Sequence, residues 1–257
     1  MTDFSKVWNA AVRRMGDILR ETLFPVRCAG CGKTDGALDS DRMLCPECAK
    51  NWEAAALSVC PVCGKTQMFC RCSVSAAGRS ICGYYHAVPY RSEPVRTMLF
   101  RVKRKPDIRT VRFLARQTAR LCELAVQESG KPRDSFVLTA PPRTKRKARE
   151  TGTDQAVLLA KETAYLTGIP YVRVLERSEN GQEQKTLDAA GRLTNAEESF
   201  CIRNGRKKLV ERKNVLLLDD IITTGATLGV CASVLLDAGA EAVFSVTTAK
   251  TYGKIKE

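Results

Sequence analysis

The chain has 257 residues, a formal net charge of +14, one histidine and twelve cysteines. That length allows one sizeable α/β domain plus a small accessory module. No apolar run approaches the ~20 residues of a membrane-spanning helix, and Arg13, Arg14, Asp17 and Arg20 interrupt what would be a signal-peptide core. A cytoplasmic protein is therefore expected, and its cysteines need a reason other than disulfides.

The basic excess is local. Residues 83–213 carry 28 Lys and Arg against 15 Asp and Glu, whereas residues 1–82 stand at 11 against 8 and residues 214–257 at 3 against 5. Such asymmetry suits a polyanionic partner, nucleic acid or a small polyphosphate. A solvated basic surface fits the same charge.

In chain order, Phe4, Val7, Trp8, Ala11, Val12, Met15, Ile18, Leu19 and Leu23 come first, at helical spacing before Pro25. One amphipathic helix over residues 1–24 is expected, docked on the protein's own core. A role on a partner protein, or peripheral to a membrane surface, is the minority alternative.

Four close cysteine pairs follow: Cys28 and Cys31, Cys45 and Cys48, Cys60 and Cys63, Cys70 and Cys72. A tight turn within each pair aims two sulfurs at one metal ion, and four thiolates complete a tetrahedral zinc shell. Gly32 and Gly64 supply left-handed turn residues. Residues 25–82 are thus expected to hold two structural Zn2+ ions. Consecutive pairs would group Cys28, Cys31, Cys45 and Cys48 at one ion and Cys60, Cys63, Cys70 and Cys72 at the other; an interleaved pairing stays open on spacing alone. The segment has too few apolar residues to fold by itself, so metal binding should supply much of its folding free energy. The isolated Cys82, Cys122, Cys201 and Cys231 are expected to be buried small apolar residues.

From residue 83 the texture is that of strands alternating with helices. "VRTMLFRVKRKPD" predicts a helix end and a basic turn at Lys103, Arg104 and Lys105, and "IRTVRFLARQTARLCELAVQE" an amphipathic helix. "SFVLTAPP" predicts a short strand stopped by two prolines. "TDQAVLLAKETAYLTG" predicts a helix with Thr153 or Asp154 as N-cap and Gly168 as stop. "VRVLER" and "AVFSVTTAK" predict strands, and "TLGVCASVLLDAGA" a helix stopped at Gly239. "NVLLLDD" does not alternate, so it predicts a strand buried on both faces. The fold class expected for residues 83–257 is α/β with a mainly parallel sheet, its ligands bound outside the carboxyl ends of the strands.

One such end carries Asp219 and Asp220. Adjacent carboxylates repel, and burying either is costly, so a cation or a hydroxyl-rich ligand is expected there. In the turn that follows, Thr223 to Thr227, backbone N–H groups and a helix N-terminus make an anion cradle, and Gly225 allows close approach. The P-loop pattern is absent. A ribose 5-phosphate satisfies both the carboxylates and the cradle.

"DDIITTGAT" after a buried strand resembles the signature of type I phosphoribosyltransferases, which bind phosphoribosyl pyrophosphate (PRPP). The four-pair cysteine module ahead of it resembles the double zinc ribbon of the ComF family. "GTDQAVLLA" is similar to that family's helix start, and "LERSENGQEQKTLDAAGRLTNAEESF" to its Gln-Lys-x-Leu … Arg-x-x-Asn … Phe segment. The resemblance covers roughly residues 25–250 and implies a sheet of the type I phosphoribosyltransferase kind. It implies that Asp219 and Asp220 hold the ribose 2- and 3-hydroxyls, while Thr223, Thr224, Gly225, Ala226 and Thr227 hold the 5-phosphate. Ala140, Pro141, Pro142 and Arg143 would form the loop on the pyrophosphate side. Gln184 to Asn195 would form a mobile flap, with Arg192 as its charge contact. Thr151 departs from the family, which often has Arg there; Lys145, Arg146, Lys147 and Arg149 stand nearby.

The implied reaction is displacement of pyrophosphate from the ribose anomeric carbon by a nitrogen nucleophile, with Mg2+ bridging hydroxyls and pyrophosphate. No segment identifies the acceptor. The alternative is a non-enzymatic single-stranded DNA-binding or regulatory protein that uses the PRPP fold as a platform. The resemblance links either to natural competence and the DNA-uptake machinery. Tyr84, Tyr85 and Tyr90 are the few aromatic candidates for base stacking, and His86 reads as structural.

Overall fold

The computed structural model describes residues 26–34, 38, 43–73, 80–104, 107–143, 155–177 and 200–252. The expected N-terminal helix, the flap with Arg192, the basic residues 145–149, Thr151 and the N-cap candidates Thr153 and Asp154 all lie outside them.

Four parallel strands form the central sheet: β1 (Gly83–Pro89), β2 (Phe136–Thr139), β5 (Asn214–Ile222) and β6 (Ala242–Lys250), in the order β1-β6-β5-β2. All three pairings are parallel, so the four carboxyl ends share one edge. The short strands β3 (Leu175–Arg177) and β4 (Phe200–Ile202) pair antiparallel in a separate sheet. "VRVLER" therefore contributes a strand, but not to the central sheet.

β5 is buried on both faces, as its unbroken apolar run requires. Leu216 and Leu218 enter one hydrophobic cluster, and Val215 and Leu217 the other, because neighbours on a pleated strand alternate. Two long helices cover the first face: α3 (Ile108–Ser129) and α4 (Gln155–Thr167). They are tied by a Thr118–Thr163 hydroxyl bond of 2.7 Å. Asp107 caps α3 by accepting from the N–H groups of Arg109 and Thr110, and Gly130, in the left-handed region, stops it. The second face packs against α5 (Ala226–Asp237) and the β3–β4 pair.

Two sequence expectations are corrected. "VRTMLFRVKR" is not a helix end but a whole helix, α2 (Val95–Arg104), whose backbone runs through Lys103 and Arg104. The stretch "GYYHAVP" is strand β1, so its tyrosines belong to the sheet. Its residues show no alternation because both faces are covered. Tyr84 and Tyr85 are only 5% and 4% exposed, which removes them as stacking platforms for bases.

The cysteine module packs on the first face. Its helix α1 (Pro46–Leu57) sends Trp52 edge-on against Phe113 of α3, with ring centroids 4.8 Å apart. Ala29, Met43 and Ala55 join the same cluster as the sheet residues. Arg71 adds a polar clamp: two bonds of 2.9 and 2.8 Å to the Glu128 carboxylate, and a guanidinium 4.0 Å above the Tyr85 ring. No helix among the described residues is long and apolar enough to cross a membrane.

Candidate functional site

Two features stand out, the cysteine clusters and the loops at the carboxyl edge of the sheet. In the clusters, Cys28, Cys31, Cys45 and Cys48 bring their four sulfurs within 4.8 Å of one another, and so do Cys60, Cys63, Cys70 and Cys72. The consecutive grouping is the one observed, and the interleaved one is not. A tetrahedral ion with Zn–S bonds near 2.3 Å sets sulfurs about 3.8 Å apart; Cys31 and Cys45 stand at 3.9 Å. The donor set, four thiolates without an open position, fits structural zinc.

Local backbone geometry prepares one sulfur of each cluster, Cys28 and Cys60, for that charge, whereas burial pushes Cys45, Cys48, Cys70 and Cys72 up. Cys28 Sγ accepts from the N–H groups of Gly30 at 3.3 Å and Cys45 at 3.2 Å, and Cys60 Sγ from Val62 at 3.4 Å. Burial raises the pKa of Cys28, yet the N–H groups of Cys45, Cys31 and Gly30 outweigh it and bring it down to about 7. At Cys60 the same opposition ends at about 6. Gly32 and Gly64 take φ of 78° and 69°, the left-handed turns expected of them. The second pair differs from expectation: Cys45 is the N-cap of α1 and Cys48 lies in its first turns, so a helix start takes the place of a tight turn. Of the four isolated cysteines, Cys122 and Cys231 are buried as expected, whereas Cys82 is exposed and Cys201 half-buried.

At the sheet edge, Asp219 and Asp220 occupy the last turns of the β5 pleat. Adjacent strand residues leave on opposite sides, and Asp219 is the one near Cys231 of α5, whose thiol burial, and then the Asp219 charge, push up. The pleat thus eases the repulsion that makes the pair look unfavourable in sequence. Asp219 Oδ1 also accepts the Asp220 N–H at 2.8 Å. Five residues after Asp220, Gly225 takes φ 79° and is the N-cap of α5, itself offering no side-chain cap. The Ala226 N–H donates to the Thr224 hydroxyl at 3.4 Å, and the helix N-terminus is a place where an anion can be satisfied by backbone N–H groups. Thr223, Thr224 and Thr227 are exposed beside them, while Gly225 is buried and Ala226 half-buried.

Thr139 of β2 is in register with Leu217 of β5, so the loop of Ala140, Pro141, Pro142 and Arg143 begins beside the Asp219 end. Pro142 and Arg143 are half-buried there. Sequence reasoning missed Arg177, the last residue of β3. Its Nε donates to the Pro142 carbonyl at 3.3 Å, and its guanidinium sits 4.6 Å over the Phe200 ring. Burial lowers its pKa. "LER" offers no sign of this, because the contact is made across 35 residues.

Residues 19–84 match the double zinc ribbon domain family. The competence protein ComFC of Bacillus subtilis is 27% identical over 82% of this chain and 85% of its own. The ComFC protein of Streptococcus pneumoniae is 26% identical over 85% of this chain and 97% of its own. The chain resembles the ComF competence proteins. Among solved structures, the glutamine PRPP amidotransferase of Bacillus subtilis overlaps 52% of this chain at 24% identity and a TM-score of 0.35. This chain spans 25% of that enzyme's length.

His86, the single histidine, is structural. It is 1% exposed, with Nε2 at 3.1 Å from Gln67 Oε1 and 3.2 Å from the Tyr252 hydroxyl. Burial first, then the charges of Lys250 and Arg71, push its pKa down to about 3, so it stays neutral.

Proposed function

We propose that the carboxyl edge of the sheet binds PRPP and that the chain is a phosphoribosyltransferase-type protein of natural competence. The observation that carries this reading is the Gly225-headed N-terminus of α5, five residues beyond Asp220, where the cap residue offers no side chain. In this reading the helix N–H groups and the hydroxyls of Thr223, Thr224 and Thr227 take the 5-phosphate, with Gly225 and Ala226 giving close backbone approach. Asp219 and Asp220 accept from the ribose 2- and 3-hydroxyls, which rewards two carboxylates that pleating alone only separates. Pro142 and Arg143 flank the pyrophosphate, and Arg192 is a further charge contact for it. Magnesium, when bound, neutralises pyrophosphate charge. The protein's own contribution is to fix the anomeric carbon in line for attack by a nitrogen nucleophile. The competence role is drawn from the names of the relatives and from the basic middle of the chain.

The test is Asp219→Asn combined with Asp220→Asn. The expected result is loss of PRPP binding in equilibrium dialysis with an unchanged melting temperature, since removing two neighbouring charges also removes their repulsion. Unchanged PRPP affinity would sink the reading. If the parent instead binds single-stranded DNA with a steep salt dependence and ignores PRPP, the platform reading replaces it.

A further inference from the structure

The sheet domain reaches each cysteine cluster with one cation, and the two cations are not equivalent. At the first cluster, Arg101 of α2 donates through Nη1 to the carbonyls of Cys28, Ala29 and Gly30 at 3.2, 3.3 and 3.4 Å. Its Nη2 also lies 3.6 Å from the Asp107 carboxylate, so that charge already has a counter-ion.

At the second cluster stands Lys250, the last residue of β6. It is 4% exposed, and Nζ donates to the Cys72 carbonyl at 2.7 Å. None of the ion pairs among the described residues involves it. An ammonium group is rarely buried without an anion, because desolvation removes its hydration and returns nothing. The anion at hand is the cluster itself: four thiolates around one divalent ion carry a net charge of −2. A buried polar array surrounds the contact. The Tyr252 hydroxyl lies 2.5 Å from Gln67 Oε1, and both meet His86 Nε2.

We propose that Lys250 is the counter-ion of the second metal site, so that this site is built by two domains: the ribbon supplies four thiolates and β6 supplies the positive charge. At the first site the corresponding cation, Arg101, already faces the Asp107 carboxylate. Metal affinity at the second site then depends on Lys250, and affinity at the first does not. This holds whether or not the sheet edge binds PRPP.

The experiment uses the full chain loaded with two zinc ions. A colorimetric zinc chelator is titrated in, and cysteines released from metal are alkylated and located by mass spectrometry. In Lys250→Met, Cys60, Cys63, Cys70 and Cys72 are expected to become reactive at a chelator concentration about tenfold lower than in the parent. Cys28, Cys31, Cys45 and Cys48 should be unchanged. Lys250→Arg, which keeps the charge, should recover most of the loss. Three results would overturn the proposal: a second cluster that holds zinc as in the parent, both clusters weakened alike, or Lys250→Arg failing as badly as Lys250→Met. Should Lys250→Met not fold, Lys250→Gln keeps a donor for the Cys72 carbonyl without the charge and is read by the same outcomes.

Discussion

The cysteine module and the parallel sheet share an interface, but different physics holds each one up. The sheet domain buries apolar strands on both faces: every residue of β6 is buried, and five consecutive residues of β5 are too. Its stability is that of a packed core, spread over many side chains. The module has a small apolar cluster of its own, Cys28, Leu38, Cys45 and Cys48, in which three of the four members are metal-ligand candidates. Besides these and the other ligand cysteines, its buried apolar residues, Ala29, Met43, Trp52, Ala55 and Ile81, are buried against the sheet domain. Take away metal and docking, and little remains to order it. The sheet can therefore carry unfavourable chemistry at its exposed edge, paired carboxylates and a helix headed by a glycine.

The largest break in that comparison should come from metal removal. A structural zinc contributes roughly 10–16 kcal/mol in isolated zinc-finger peptides. Stripping both ions with a strong chelator should open the module to protease while the sheet keeps its circular dichroism. Protease resistance of the module after confirmed metal loss would contradict the account. Trp52→Ala should come next, costing about 3–5 kcal/mol for a buried indole packed on Phe113, measured by denaturant titration. Gly225→Val forces a branched side chain into φ 79°, at about 1–3 kcal/mol. It should weaken PRPP binding while leaving zinc content unchanged.

The smallest effect is expected from Arg71→Ala, under about 1 kcal/mol for a partly exposed pair. Its pH dependence is informative. The Arg71 bond holds the Glu128 carboxyl below its ordinary value, against the opposing effect of burial. A depressed acid contributes stability above its unfolded pKa, near 4.3, and loses it as pH falls through the folded value. The difference between parent and Arg71→Ala should thus be full at neutral pH and shrink below about pH 4.

Legibility followed range. The cysteine spacing announced two ligand sets because both members of each pair are local, and "NVLLLDD" announced a doubly buried strand because it never alternates. The turn at Gly225 could be read from five residues. Strand β1 could not: "GYYHAVP" is broken by Pro89 and carries a histidine, and its burial depends on β6 and on a module that precedes it in sequence. The cations behaved similarly. Arg177, Arg101 and Lys250 look like ordinary surface charge in a basic chain, and their partners lie 35, 71–73 and 178 residues away. Tyr84 and Tyr85 were legible as aromatic but not as buried, since burial is a property of what packs on them.

The most direct test of the sheet edge is calorimetric titration of the zinc-loaded chain with PRPP, with and without magnesium, beside ribose 5-phosphate and a short single-stranded DNA. Binding of PRPP that strengthens with magnesium, and is weaker for ribose 5-phosphate, is the result expected if Asp219 and Asp220 face a ribose and Arg143 a pyrophosphate. A folded, zinc-loaded protein that gives no heat with PRPP under either condition would contradict it.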